Sequence, residues 1–407
     1  MSTVAPSLAR DRVTTVVGGA YVLIGAANAS LGPVSDQLRS SLHLSGAVTG
    51  LHGAMFGWFL LACGLLSAWI LRVADVAVLL RAAIVAIGVG LAVMASGHHV
   101  VVTMAGAVIV GLGGAVMVLV APQIISAHHG PESRGAAFTH INGLSQIGSI
   151  GAPLLLALTL HQSWGWRWPM AAIGLVGGAL VLTGALRTDL PHHVVEVDAA
   201  APVGTTGSDG PRRSAIAHLR RLPVARLRWL VLTLGISVEF ATLFWASASV
   251  QELAGASSSA GAVGVGLFAG GMVVGRMVGP RLLPRVAEAT VLRVSFTVAA
   301  VGAVLLRVGP GLVVRLGALA VAGLGLALVY PVAFSRLYGV GVPEADVGAV
   351  GALASGTAVT LSPLALGALA DASSLGRALL IVPAMALVGL VAVRDGDGDR
   401  PAVGPSA

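Results

Sequence analysis

The chain contains no lysine, a single cysteine and few aromatic residues (4%), and Lys, Arg, Asp and Glu together make up only 10% of its 407 residues. A typical soluble domain carries about 25% charged residues. With 56% hydrophobic residues and a mean hydropathy of +0.91, the chain has more apolar surface than a water-soluble core could hide. Scarcity of charge therefore excludes a set of soluble domains, and lipid must solvate most of the chain. The lone Cys63 lies inside an apolar run, which excludes a disulfide framework within the chain and reads as a small buried hydrophobe. No Walker phosphate loop is present, which argues against ATP-driven transport by this chain alone. Short strings such as Gly111-x-Gly113 and Gly264-x-Gly266 lack a preceding strand and read as helix-packing glycines.

What is abundant is long apolar runs. Twelve are bounded by polar or Gly/Pro-rich breaks, near 13–33, 47–71, 77–97, 100–125, 135–160, 168–186, 229–250, 261–282, 288–308, 312–336, 345–370 and 375–394. A helix needs roughly 20 apolar residues to cross a hydrocarbon core of about 30 Å. Barrel strands would show alternating segments of about ten residues; these runs are twice as long and do not alternate. The expectation is an all-α polytopic membrane protein. Its polar N-terminus runs straight into a full-length span, which reads as no cleaved signal peptide.

All 24 basic residues are arginine, and their placement orients the spans. Nineteen fall on the side of the N-terminus, seven of them between Arg187 and Arg228, and five on the opposite side (Arg39, Arg167, Arg307, Arg315 and Arg377). By the positive-inside rule both termini are cytoplasmic. The net charge of +7 is thus a topological bias and not a nucleic-acid surface. The expected organisation is a first six-helix bundle over 1–186, a cytoplasmic linker over 187–228, a second bundle over 229–394 and a tail over 395–407. The linker holds a flexible run at 205–211.

An offset of 212 residues aligns the two bundles. Gly111-Leu112-Gly113 falls on Gly323-Leu324-Gly325 and Pro131-Glu132 on Pro343-Glu344, while Phe56, Leu71 and Arg81 fall on Phe268, Leu283 and Arg293. Two parallel six-helix halves about an axis along the membrane normal form one known transporter arrangement. The chain resembles the major facilitator superfamily over nearly its whole length. The resemblance rests on Leu31-Gly32-Pro33, Arg134-Gly135-Ala136, Gly148-x-x-Gly151-Ala152-Pro153 and Trp164-x-Trp166-Arg167-Trp168. Gly235-Ile236-Ser237-Val238-Glu239-Phe240 with Trp245, and Gly271 to Gly279, look like its fucose-permease-like branch. The resemblance implies twelve helices in two pseudo-symmetric bundles. The family's loop motif after the second span is eroded: Ala68 follows Gly64 at four residues, with only Arg72 and Asp75 nearby. Asn28 and Gln123 stand where fucose-type permeases carry acids, and the fourth span lacks the arginine of many drug antiporters.

Ionisable groups inside a bilayer are costly and by default functional. Glu239 is read as the one acid well inside a span, placed to take a proton from one side and release it to the other; His140 is a second candidate, since imidazole exchanges protons at physiological pH. Three polar stripes suit a polar solute: Tyr21, Gly25, Asn28 and Gly32 on the first span; Asn142, Gln146, Ser149 and Pro153 on the fifth; Glu239, Thr242 and Ala246, with Trp245 adjacent, on the seventh. The same residues would equally serve to join helices. Tyr330 and Trp58 are candidate aromatic walls, and His52 reads as interfacial. Arg276, Gly275, Gly279, Arg72 and Asp75 form the expected cytoplasmic gate, implied by the resemblance. The pairs His98-His99, His128-His129 and His192-His193 do not make a metal site, because adjacent residues on a helix diverge by about 100° and no Cys or acidic cluster completes a tetrahedral set.

The reading is a secondary active transporter of a small organic solute, sugar-like or another polar metabolite, working by alternating access with a proton. Its partners are the solute, the proton and the lipid bilayer of the cell membrane; it uses no cofactor, metal or nucleic acid and acts as a monomer. Proton-driven efflux of drugs or hydrophobic metabolites is the alternative. A non-transporting receptor is disfavoured by the short outer loops, and an enzyme by the lack of clustered catalytic groups.

Overall fold

The computed structural model describes residues 11–192, 215–338 and 340–394. Arg10, Arg212, Arg213, Arg400, His193, the 205–211 run and the 395–407 tail lie outside them. Among the described residues twelve helices are long and apolar enough to cross a membrane. In order they are Arg12–Leu42, Gly46–Val73, Val76–Ser96, Val100–His128, Pro131–His161, Arg167–Leu186, Pro223–Ala254, Ser258–Leu282, Glu288–Val308, Gly311–Ser335, Glu344–Ala372 and Leu375–Ala392. Side-chain caps stop them sharply: the Asp11, Ser45, Asp75 and Ser257 side chains each accept an amide from the first turn of the span that follows. Breaks are local. The sixth span contains a π-helical turn at Ile173–Gly177, and the tenth is interrupted between Leu326 and Val329.

Two expectations change at the helix ends. The first span runs nine residues past the apolar stretch, through Pro33 to Leu42. The seventh begins at Pro223 and reaches Ala254, so the linker is shorter than hydropathy suggests, and a short helix, Ala215–Arg221, lies within the segment expected to be linker. At 1.5 Å per residue these two spans measure about 46–48 Å, well beyond a hydrocarbon core of about 30 Å. Their polar ends therefore stand clear of the apolar zone and can carry charge cheaply.

The repeat is written in the packing. Gly111 lets the fourth span press on the backbone of the second at Met55 and Phe56, and Gly323 lets the tenth press on the eighth at Phe268 and Met272. Gly113 meets the third span at Ala83 and Gly325 meets the ninth at Ser295, 212 residues on. Gly90 and Gly302 repeat the pattern against Val110 and Ala322. Arg81 donates to the Ala185 carbonyl at the end of the sixth span (3.3 Å), as Arg293 does to Val393 after the twelfth (3.4 Å).

The halves meet through the second and eleventh, the fifth and eighth, and the first and seventh spans. The contact is closest at the end remote from the described chain ends. Gly46, Gly50, Gly53 and Gly57 line one face of the second span. A Cβ at these positions would run into the Gly367 carbonyl, the Pro363 carbonyl, the Phe244 ring and the Thr360 backbone, respectively. Gly32 of the first span meets the Phe244 carbonyl in the same way. Toward the other end the fifth and eighth spans part: Gly266 still faces Leu154, whereas nothing lies within 4 Å of a Cβ at Gly143 or Gly270. A Gly50→Leu substitution should therefore hold the halves apart at the closed end. Spin labels at Ser41→Cys and Ser373→Cys, in a Cys63→Ala background, are expected to separate by several ångströms relative to the parent in double electron–electron resonance.

Candidate translocation site

Beneath the closed end lies a cavity of about 200 Å³ among the second, fourth, tenth and eleventh helices. The break in the tenth span shapes it. Pro331 has no N–H to give the carbonyl four residues back, and the chain makes a turn at Ala327–Leu328. Tyr330 is 42% exposed between Val329 and Val332, both 2% exposed, and its exposure is to the cavity it lines. Its phenol neighbours the Ser355 side chain of the eleventh span, and both line the cavity. Phe334 stacks beneath it, centroids 5.8 Å apart, and Tyr338 follows edge-on at 6.2 Å. Phe334 occupies the space that Gly351 leaves open. Gln123, buried on the fourth span, and Ser67 add polar atoms to a wall otherwise made by residues such as Leu60, Val118 and Ala352.

Tyr330 lies within electrostatic range of Tyr21 and of Glu239, and Glu239 within that of Arg276. Tyr21 comes from the first span, Glu239 from the seventh, Arg276 from the eighth and Tyr330 from the tenth, so one polar cluster joins both halves. Glu239 stands at the midpoint of its helix, sixteen residues after Pro223 and fifteen before Ala254. The third tyrosine, Tyr338, stands beyond Phe334.

The other expected residues are dispersed. Asn28 lines a separate space of about 20 Å³ with Phe56, Phe240 and Phe244, nearer the closed end. Gly25 and Gly32 of the same stripe serve packing, against Ser145 and Ser149 of the fifth span and Phe244 of the seventh. Asn142 is exposed, its amide donating to the Phe138 carbonyl (2.9 Å), and half-buried Gln146 donates to Ser145 Oγ (3.2 Å). His140 is half-buried at the open end of the fifth span. Trp245 is no cavity wall: it is 1% exposed, its indole N–H donates to the Pro363 carbonyl at 3.0 Å and Phe244 packs edge-on against it. Trp58 is 55% exposed on a stripe with Leu65 and Trp69, roughly opposite the Leu60–Gly64–Ser67 face that lines the cavity, so it faces lipid. His52 is a buried bridge, bonded to Val48 O (2.9 Å) and Thr103 Oγ1 (3.1 Å).

The described contacts of the expected gate residues lie within their own halves. Gly275 and Gly279 pack on Leu324, Ala327 and Leu328 of the tenth span, inside their own half. Arg276 belongs electrostatically with Glu239. Asp75 caps its own helix through the Ala77 and Val78 amides (2.8 and 3.0 Å) and accepts from His192 Nδ1 at 2.8 Å. Slight burial pushes its carboxyl upward, but those amides and His192 outweigh it and hold the group below the usual carboxylate range. Arg72 is exposed at the end of the second span.

A latch that hydropathy hid closes the opposite end. Arg39 Nη1 pairs with Glu252 Oε1 at 2.7 Å, Gln251 donates to Asp36, and Asp371 accepts the Gly46 and Ala47 amides at 2.5 and 2.8 Å. Each link crosses between halves. The i, i+3 spacing of Asp36 and Arg39 was the available signal, obscured because the first apolar run ends at Pro33.

Two six-helix halves, closed at one end over a mid-depth cavity with polar groups converging from both, make this a membrane transporter of the secondary type. The chain belongs to the Major Facilitator Superfamily, whose sequence profile matches residues 17–362; it is a transporter and not an enzyme. It is 33% identical over 145 residues to the uncharacterized transporter y4wD of Sinorhizobium fredii (strain NBRC 101917 / NGR234). That match covers 35% of this chain and 38% of the relative's length. The fold is shared with a bacterial homolog of the human lysosomal transporter Spinster, in an inward-facing and unoccupied conformation (TM-score 0.71, 14% identity, 96% of this chain and 97% of that one). It is also shared with the nucleoside transporter NupG (0.73, 15%, 94% and 97%) and a D-xylose-proton symporter (0.71, 16%, 93% and 96%).

Asp371 acts as a cap supplied from the opposite half, and losing such a cap costs about 1 kcal/mol. Asp371→Ala is expected to shift the balance of closed and open outer ends roughly fivefold toward open. Rate of maleimide labelling at a Ser373→Cys site reads that shift; an unchanged rate would show that the cap does not hold the closure.

Proposed function

We propose that the chain is a secondary active transporter that moves a small polar organic solute by alternating access and couples the movement to a proton at Glu239. The observation that carries this reading is a carboxylate at the midpoint of a membrane span, within electrostatic range of Arg276 and Tyr330, beside a cavity of about 200 Å³. A charge at that depth is costly unless paired or neutralised. Glu239 therefore has two stable conditions, ionised with Arg276 beside it or protonated without that partner. Alternation between them links the proton to the relative position of the seventh and eighth spans.

The solute is held in the cavity by Gln123 and by the Tyr330–Ser355 pair, with the faces of Tyr330 and Phe334 against its apolar side. Asn28 is the contact it meets as it rises toward the closed end. Asn142 and Gln146 border the gap between the parted fifth and eighth spans, and His140 lies on the proton's way in. The excess of arginine on the side of the termini orients them to the cytoplasm of a cell membrane, so the cavity here faces inward and the Arg39–Glu252 latch is external. A nucleoside transporter and a xylose–proton symporter of the same fold support a hydroxyl-rich solute and a proton. The chain works as a monomer.

In proteoliposomes screened with sugars and nucleosides, Glu239→Gln is expected to lose pH-gradient-driven flux at least tenfold while solute exchange without a gradient persists. Unchanged pH-dependent flux would remove Glu239 from the mechanism. Tyr330→Phe, which deletes one hydrogen bond worth about 1 kcal/mol, should raise the half-saturating solute concentration roughly fivefold. The largely apolar wall of Leu60, Val118, Leu119 and Ala352 favours a second reading, proton-driven export of a hydrophobic compound; gradient-driven flux of such compounds in place of sugars or nucleosides decides for it.

A further inference from the structure

Where the first span begins and the fourth ends, away from the cavity, three metal-ligand side chains converge. Asp11, His128 and His129 bring their donor atoms within 4.8 Å of one another. His128 Nε2 lies 2.9 Å from Asp11 Oδ1, and His129 Nε2 lies 3.5 Å from Asp11 Oδ2 and 2.7 Å from Thr14 Oγ1. The fold brings the acid in from 117 residues away. It also removes the objection from helical divergence. His128 is the last helical residue, and His129 follows it in extended backbone (φ −105°, ψ 136°). That turn swings the second imidazole back, and the two rings meet edge-on at 4.9 Å.

Around a tetrahedral cation bound at about 2.1 Å, two ligand atoms stand about 3.4 Å apart, inside the range these donors already span. Two imidazoles and one carboxylate match the nitrogen- and oxygen-rich sets that zinc and its first-row neighbours take. Thr14, fully buried, places its hydroxyl on His129 and is itself tied to Asp11, which orients both ligands. The side chains of Asp11 and His129 are 16% and 11% exposed and that of His128 is 35%, so the cluster is sheltered but reachable past His128.

The geometry points to a divalent-cation site of the zinc class, formed by Asp11, His128 and His129 with the Thr14 hydroxyl or a water completing the set. A cation there clamps the start of the first span to the end of the fourth, the helix that brings Gln123 to the cavity. The test uses the full chain, purified without any histidine tag, titrated with Zn²⁺ by calorimetry and with Co²⁺ by visible absorption. One ion per chain is expected, with the unfolding temperature rising as it binds. His128→Ala and His129→Ala should each weaken binding at least tenfold, since loss of even an outer partner of a metal site costs about that much. Asp11→Asn, which keeps a competent helix cap, should weaken it likewise, and His192→Ala should bind as the parent does. Absence of saturable binding by the parent chain, or equal binding by the His128 and His129 variants, would overturn the site. Should those variants fail to fold, X-ray absorption of the zinc-loaded parent decides: a shell with two imidazole nitrogens supports it, and a shell without them refutes it.

Discussion

The close approach of helix backbones across the closed end is the constraint on which the rest of this molecule depends. Lipid is as apolar as leucine, so no hydrophobic force drives one span against another, and association rests on packing and hydrogen bonds. The second span meets this requirement with Gly46, Gly50, Gly53 and Gly57, which admit the backbone of the eleventh span and the Phe244 ring of the seventh. Where the glycine-lined contact stops, the cavity begins. A contact made of small residues can be parted without breaking an apolar core.

Charge is sparse and its location follows from cost. The first and seventh helices outrun the bilayer, so Asp36, Arg39, Gln251 and Glu252 meet across the halves outside the apolar zone. Exposed pairs of that kind contribute little each, about 0–1 kcal/mol, which suits a closure that must reopen. Deeper in, Glu239 stands at the midpoint of its span within electrostatic reach of Arg276, at a depth where a bare carboxylate is costly. The rim and the middle of the bundle thus carry charge at very different cost.

Much of the architecture was legible in the chain. Gly111 and Gly323 stand 212 residues apart and make the same contact with equivalent partners in each half, because packing glycines are fixed by the neighbour they touch. Candidate site residues were legible only in part. Tyr330 lies within electrostatic range of Tyr21 and Glu239, yet Trp245 is a buried strut and Trp58 faces lipid, for hydropathy does not reveal which way a tryptophan turns. Gly275 and Gly279 join helices of one half. Asp11 escaped notice as a partner of His128 and His129 because 117 residues of chain lie between them.

Lipid reads a sequence locally. A run of about 20 apolar residues spans wherever it sits, and a repeat copied along the chain copies its fold, so the number of helices, the two halves and the place of the acidic midpoint followed from the sequence by itself. Which end is closed, which helix faces bound the cavity, how far the first and seventh spans extend and which distant polar groups meet were decided by tertiary structure. Those features depend on the rotation of each helix against its neighbours, and only contacts between remote segments set that rotation.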